Sequence, residues 1–207
     1  KADLQSANLS GAKMIEANLN SAILRGADLR LANLNYAYLH MVNLIAANLK
    51  NASLHGITTI KRDGEEGGLS FTTSFSKAVL EGATLTEASL PGVDFTAANM
   101  RDADLRNVEL RGARLANVDL RNADLSNVNL QYTNLKGADL SGANLEGADL
   151  SSADLSPFKA ILQFKTRLTN TNLSGANLTD ANLKYVDLSE AILCHTRIGS
   201  EELNTGC

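Results

Sequence analysis

From Leu105 to Leu155 every fifth residue is leucine, and the residue two before it is Ala, Val or Thr: ADLRN-VELRG-ARLAN-VDLRN-ADLSN-VNLQY-TNLKG-ADLSG-ANLEG-ADLSS-ADL. An amphipathic helix repeats near 3.6 residues and a half-buried strand near 2, so a period of five fits neither. A period that short, held that long, makes each repeat one side of a polygonal coil. Within a repeat such as Ala123-Asp124-Leu125-Ser126-Asn127, three extended residues alternate, with Ala123 and Leu125 inward and Asp124 outward. The last two turn a corner. A type II turn needs positive φ at its third position, which favours Gly or Asn. That corner position holds Gly82, Gly92, Asn107, Gly112, Asn117, Asn122, Asn127, Gly137, Gly142 and Gly147.

The repeat A(D/N)LXX resembles the pentapeptide-repeat family. The resemblance implies an all-β fold, a right-handed quadrilateral β-helix with four sides and about 20 residues per coil. Central residues fall into three runs: Leu4 to Leu54, Phe75 to Leu155, and Leu168 to Ile198. Together they predict about eight or nine coils and a rod on the order of 40 Å. Phe75 and Phe95, 20 residues apart, are expected to stack on one side. The solenoid is read as one domain over 1–207.

Two interruptions break the phase. Between Leu54 and Phe75 the polar, Gly-rich 60–72 segment reads as an excursion loop. The 21-residue separation is taken as one coil plus a one-residue bulge, returning the chain to the side it left. Ser156–Thr166 is apolar enough to predict a bulged corner, with Ala160 and Leu162 as an irregular repeat. At the end, Ser200 is expected to cap a short helical turn that lays Leu203 on the last coil. A solenoid's open end needs a cap, and an end-to-end homodimer is one way to supply it. The sequence begins at Lys1 in mid-repeat, as a fragment would.

The formal charge is only −4, so direct binding to nucleic acid is not expected. No apolar run approaches the ~20 residues of a membrane span. The cytoplasm is the expected compartment, with the periplasm, the thylakoid lumen or a membrane-anchored chain left open. Recurrent outward Asp and Asn are products of the repeat, so paired carboxylates carry no catalytic reading. His40, His55 and His195 lie far apart, and Cys194-His195 falls short of a zinc ligand set. No catalytic residue, metal or cofactor is predicted. A Cys194–Cys207 bridge is possible, without support from the pattern.

Two surface features stand out. Ile23, Tyr36, Tyr38, Met41 and Ile45 occupy positions that should face water, and all fall on two adjacent sides or their corners. Arg101, Arg106, Arg111, Arg114 and Arg121 interleave with acidic residues, either as an ion-pair ladder or as a site for an anionic partner. By the assumed phase, Arg101, Arg106 and Arg121 land on the sides of the apolar patch. Either the insertion folds back across that patch, bringing Glu65 and Glu66 near the arginines, or patch and loop together form a partner surface. The best-studied branch of the family resembles DNA and protects DNA gyrase from quinolones. This chain departs from it: it is not strongly acidic, its centres are Leu rather than Phe, and it lacks an apolar C-terminal helix. The expectation is a non-catalytic scaffold or adaptor that binds another protein, with gyrase modulation as the alternative.

Overall fold

The computed structural model describes residues 2–60, 73–158 and 165–207. The residue before each central leucine forms an isolated parallel bridge to its counterpart 20 residues later, as in Asp3 to Ile23 and Asp104 to Asp124. Four such columns follow one another. Side 1 runs through Ile23, Asn43, Ser74 and Asp94; side 2 through Asp28, Asn48, Val79 and Asn99. Side 3 runs through Asn33, Ser53, Thr84 and Asp104; side 4 through Tyr38, Thr58, Ser89 and Glu109.

A pentapeptide with an outward Asp or Asn can account for all five of its backbone N–H groups, as buried amides require. In the repeat around Leu29, Ala27 N–H closes the turn to Leu24 O at 3.0 Å. Asp28 N–H donates to Ala7 O in the preceding coil at 2.9 Å, and Leu29 N–H to Asn48 O in the following one at 2.7 Å. Leu31 N–H donates onward to Lys50 O at 3.1 Å. The fifth donor, Arg30 N–H, is taken by the Asp28 side chain at 3.1 Å. The same two-residue bond recurs at Asn48, Asp94, Asp124, Asp139 and Asn172. The Asp or Asn of the motif is therefore a corner cap with a backbone job.

The interior is filled by the leucines and the small residues two before them, nearly all with no exposed area from Leu24 to Leu178. Phe75 and Phe95 stack as expected, ring centroids 4.9 Å apart and 17° from parallel. All ten Gly and Asn corner residues named from the sequence have positive φ. So do many residues without that preference, Leu31, Tyr36, Met41 and Ala46 among them.

The phase across the first interruption differs from the sequence expectation. Asn43 pairs with Ser74 and Asn48 with Val79, a separation of 31 residues. Ile57-Thr58-Thr59 completes side 4 above Tyr38, and the chain returns on side 1, not above Leu54. The 21-residue spacing concealed two ordinary repeats plus an 11-residue surplus, so everything beyond is displaced by two sides. Across the second interruption the separation is 28, Asp139 pairing with Arg167. The proposed irregular repeat at Ala160 and Leu162 lies outside the described residues. A buried threonine seals each return point. Thr73 Oγ1 donates to Leu39 O and accepts from Val42 N–H; Thr166 Oγ1 donates to Leu135 O at 3.0 Å and accepts from Gly137 N–H at 3.1 Å.

The C-terminus forms no helical turn. Leu193–Ile198 (β1) belongs to the last coil, and Glu201–Thr205 (β2) folds back antiparallel on it through a turn at Gly199 and Ser200. The edge of a last coil offers unpaired backbone groups, which a strand satisfies and a helix does not. Leu203 does pack on the core, as expected.

Candidate functional site

The coil fixes every Cα, so the surface is decided by what stands at corners and outward positions. Tyr36 and Met41 are exposed (50% and 39%), while Ile23, Tyr38 and Ile45 are half-buried. Tyr36 sits at the corner of sides 3 and 4, Met41 at that of sides 4 and 1, and Ile45 just past side 1. Tyr36 lies over Gly56, the corner residue of the next coil, and meets His55 edge-on at 5.1 Å. A Cβ at Gly56 would stand 2.7 Å from the tyrosine ring.

Leu31, 65% exposed, belongs with this group and was missed from the sequence. Its signal was there: Leu31, Tyr36 and Met41 fill consecutive corner positions with φ of 58°, 60° and 57°, where Gly or Asn is preferred. Tyr38 displaces a capping Asx, and Asn20 of the preceding coil replaces it, its Oδ1 accepting from His40 N–H at 2.9 Å. The described chain stops at Ile60 after side 4 and resumes at Thr73 on side 1. Glu65 and Glu66, and the question of what the loop covers, lie outside the described residues.

The arginines stand further along the axis, three or more coils from the apolar residues and on the corners of Leu31 and Tyr36. Because the phase shifts by two sides, Arg101 and Arg121 stand on the corner of sides 2 and 3, and Arg106 on that of sides 3 and 4. Arg106 clamps Asp104 through two bonds (2.8 and 2.7 Å), and Arg121 clamps Asp119 (2.8 and 2.5 Å). These are the ion pairs of the ladder reading. Arg101 Nε is buried without a hydrogen-bond partner. On the corner and side next to Met41, three coils further along the axis, stand Arg111 and Arg114, Arg111 lying 5.1 Å over the exposed Tyr132 ring.

The Arg106 guanidinium holds the Asp104 carboxyl below the usual carboxylate range. Burial pushes Asp119 up, but hydrogen bonds from Arg121 outweigh it and leave the carboxyl low. Asp154 behaves likewise, burial being outweighed by Ser156 and Lys136. Carboxylates so tied to backbone and guanidinium make poor proton shuttles.

A surface groove of about 520 Å³ lies along side 2, with Phe158 forming one wall. Its charges are balanced: Arg121 pairs with Asp119, and Arg167 Nη1 with Asp139 at 3.1 Å. Among the described residues, metal-capable side chains gather in one place, where Cys194, His195 and Cys207 bring their ligand atoms within 4.8 Å of one another. The two cysteines form a disulfide, Cα atoms 4.9 Å apart. No helix among the described residues is long and apolar enough to cross a membrane.

The family profile for pentapeptide repeats matches eight copies, over residues 2–40, 12–51, 73–112, 103–142, 119–156 and 165–198. The cyanobacterial HetL of Nostoc sp. strain PCC 7120, a pentapeptide repeat protein involved in heterocyst differentiation regulation, is 30% identical. The match covers 96% of this chain and 90% of HetL, with a TM-score of 0.34. The plasmid-mediated fluoroquinolone resistance protein QnrB1 is 19% identical over 96% of this chain and 92% of its own, TM-score 0.35. A pentapeptide repeat protein of the Arabidopsis thaliana thylakoid lumen is 27% identical over 70% and 69%, TM-score 0.20. No curated protein matches significantly. The chain belongs to the pentapeptide-repeat family.

Proposed function

We propose that the chain is a right-handed square β-helix of eight or nine coils that serves as a non-catalytic scaffold. It binds another protein at the surface around Tyr36, Tyr38 and Met41. One observation carries the reading: large apolar side chains are kept at left-handed corner positions that cost roughly 1–2 kcal/mol each for a residue with a Cβ. Local strain retained against propensity is a recognised mark of functional surface. Asn20 reinforces it, since its bond to His40 N–H frees position 38 from capping. The repeat's carboxylates are occupied as caps and clamps, which supports a role without catalysis. The Cys194–Cys207 bridge favours an oxidising compartment such as the periplasm or thylakoid lumen over the cytoplasm.

The test is affinity capture from the host's lysate with the parent chain and a Tyr36→Glu/Met41→Glu variant that retains the parent's melting. A protein held by the parent and lost by the variant supports the scaffold reading. Recovery of DNA gyrase as that protein would replace it with the modulator reading, and identical capture by both chains would remove the patch as a binding face.

A further inference from the structure

We infer that the C-terminal hairpin is a thiol-switched metal site: on reduction of its disulfide, Cys194, Cys207 and His195 bind one thiophilic divalent cation, Zn2+. Two thiolates and an imidazole are the donor set such an ion takes. The sequence offers only the adjacent pair Cys194-His195; the fold brings Cys207 back to them by pairing β2 against β1. The pairing slips between Leu193 and Thr196, so Cys194 and His195 together face the single residue Asn204. Such a bulge re-aims side chains, and Asn204 Oδ1 fixes it by accepting from His195 N–H at 3.0 Å.

A second observation points to a ligand. His195 Nδ1 lies 2.8 Å from Glu202 Oε1, diagonally across the hairpin, where Glu202 pairs with Arg197. A carboxylate on Nδ1 selects the tautomer whose Nε2 lone pair is free, the outer arrangement found behind metal-bound histidines. With bonds of about 2.3 Å to sulfur and 2.0–2.1 Å to nitrogen, tetrahedral donors stand roughly 3.5–3.8 Å apart. Both sulfurs and a ring nitrogen of His195 already lie within 4.8 Å of one another, so closing on an ion requires side-chain rotation and no change of fold. Three protein donors leave the fourth position to water.

The switch balances. A dithiol reductant attacks one cystine sulfur, and its second thiol then resolves the mixed disulfide. Two electrons pass to Cys194 and Cys207, and the reductant leaves as a disulfide. The two protons gained by the cysteine thiols go to water when both sulfurs bind the ion as thiolates. Bridge and ion tie the same two points, so β2 stays closed over the last coil in both redox states.

The experiment uses the untagged full chain, reduced, freed of reductant and titrated with Co2+ under nitrogen. The expected result is a thiolate-to-cobalt charge-transfer band saturating at one ion per chain and bleached by Zn2+. It is absent from the oxidised chain and from Cys207→Ser. His195→Ala weakens binding at least tenfold and Glu202→Gln about 10–100-fold. Both variants keep the parent's melting temperature when oxidised, which separates ligation from folding. A reduced parent without the band, binding by the oxidised chain, or affinity unchanged in His195→Ala and Glu202→Gln would each overturn the site.

Discussion

One pentapeptide divides its labour so finely that single residues have separable costs. The outward Asp or Asn accepts the amide two residues on, as Asn48 does for Lys50 at 3.1 Å. Asn48→Ala should therefore destabilise by about 0.5–2 kcal/mol, as loss of a cap does, while Asn48→Asp stays near the parent in urea denaturation. At the corners the preference runs toward Gly. Ala46 holds φ of 56°, so Ala46→Gly should raise stability by about 0.5–1 kcal/mol, the relief of left-handed strain exceeding the added chain entropy. Asp104, Asp119 and Asp154 are lower in the folded chain than free carboxyls. Groups of this sign contribute stability above the unfolded value of about 4 and lose it as pH falls through the folded value. Melting temperature should fall steeply below about pH 4, and less steeply in an Asp104→Asn/Asp119→Asn/Asp154→Asn variant. The corner chemistry was legible in the sequence because Gly and Asn announce it. The capping role was not, because a motif says that Asp recurs without saying which amide it faces.

At the scale of the element, irregular pieces are held by devices the repeat does not contain. Thr166 bonds both Leu135 O and Gly137 N–H where the second interruption returns. Thr166→Val keeps the shape and strands both groups, so it should cost about 1–3 kcal/mol, against almost nothing for an exposed Thr→Val elsewhere. Thermal melts of the two variants side by side decide it. The hairpin escaped sequence reading because EELNT at its second strand is polar and unpatterned; only the exposed edge of the last coil explains why it pairs. The helical turn expected at Ser200 followed local propensity where tertiary pairing decides.

Across the whole molecule, the face on which any residue stands depends on counting through the interruptions. The stacking of Phe75 on Phe95 was readable because no interruption separates them. The corners expected for Arg101, Arg106 and Arg121 were each off by two sides because a spacing of 21 mimicked one coil and a bulge, although Arg106 still falls on the corner of Tyr36. Periodicity reports position along a side, and an insertion of unknown length erases which side. The clamped Arg106 in consequence stands on the corner of Tyr36, three coils further along the axis, and Arg101 and Arg121 on the corner of Leu31. Disulfide trapping tests this phase most directly. Asn43→Cys/Ser74→Cys joins outward neighbours in adjacent coils of side 1 and should cross-link on mild oxidation. Ser53→Cys/Ser74→Cys should not. Cross-linking of the second pair and not the first would place Phe75 above Leu54 and move Arg101 and Arg121 to the corner of Met41, contradicting the arrangement described.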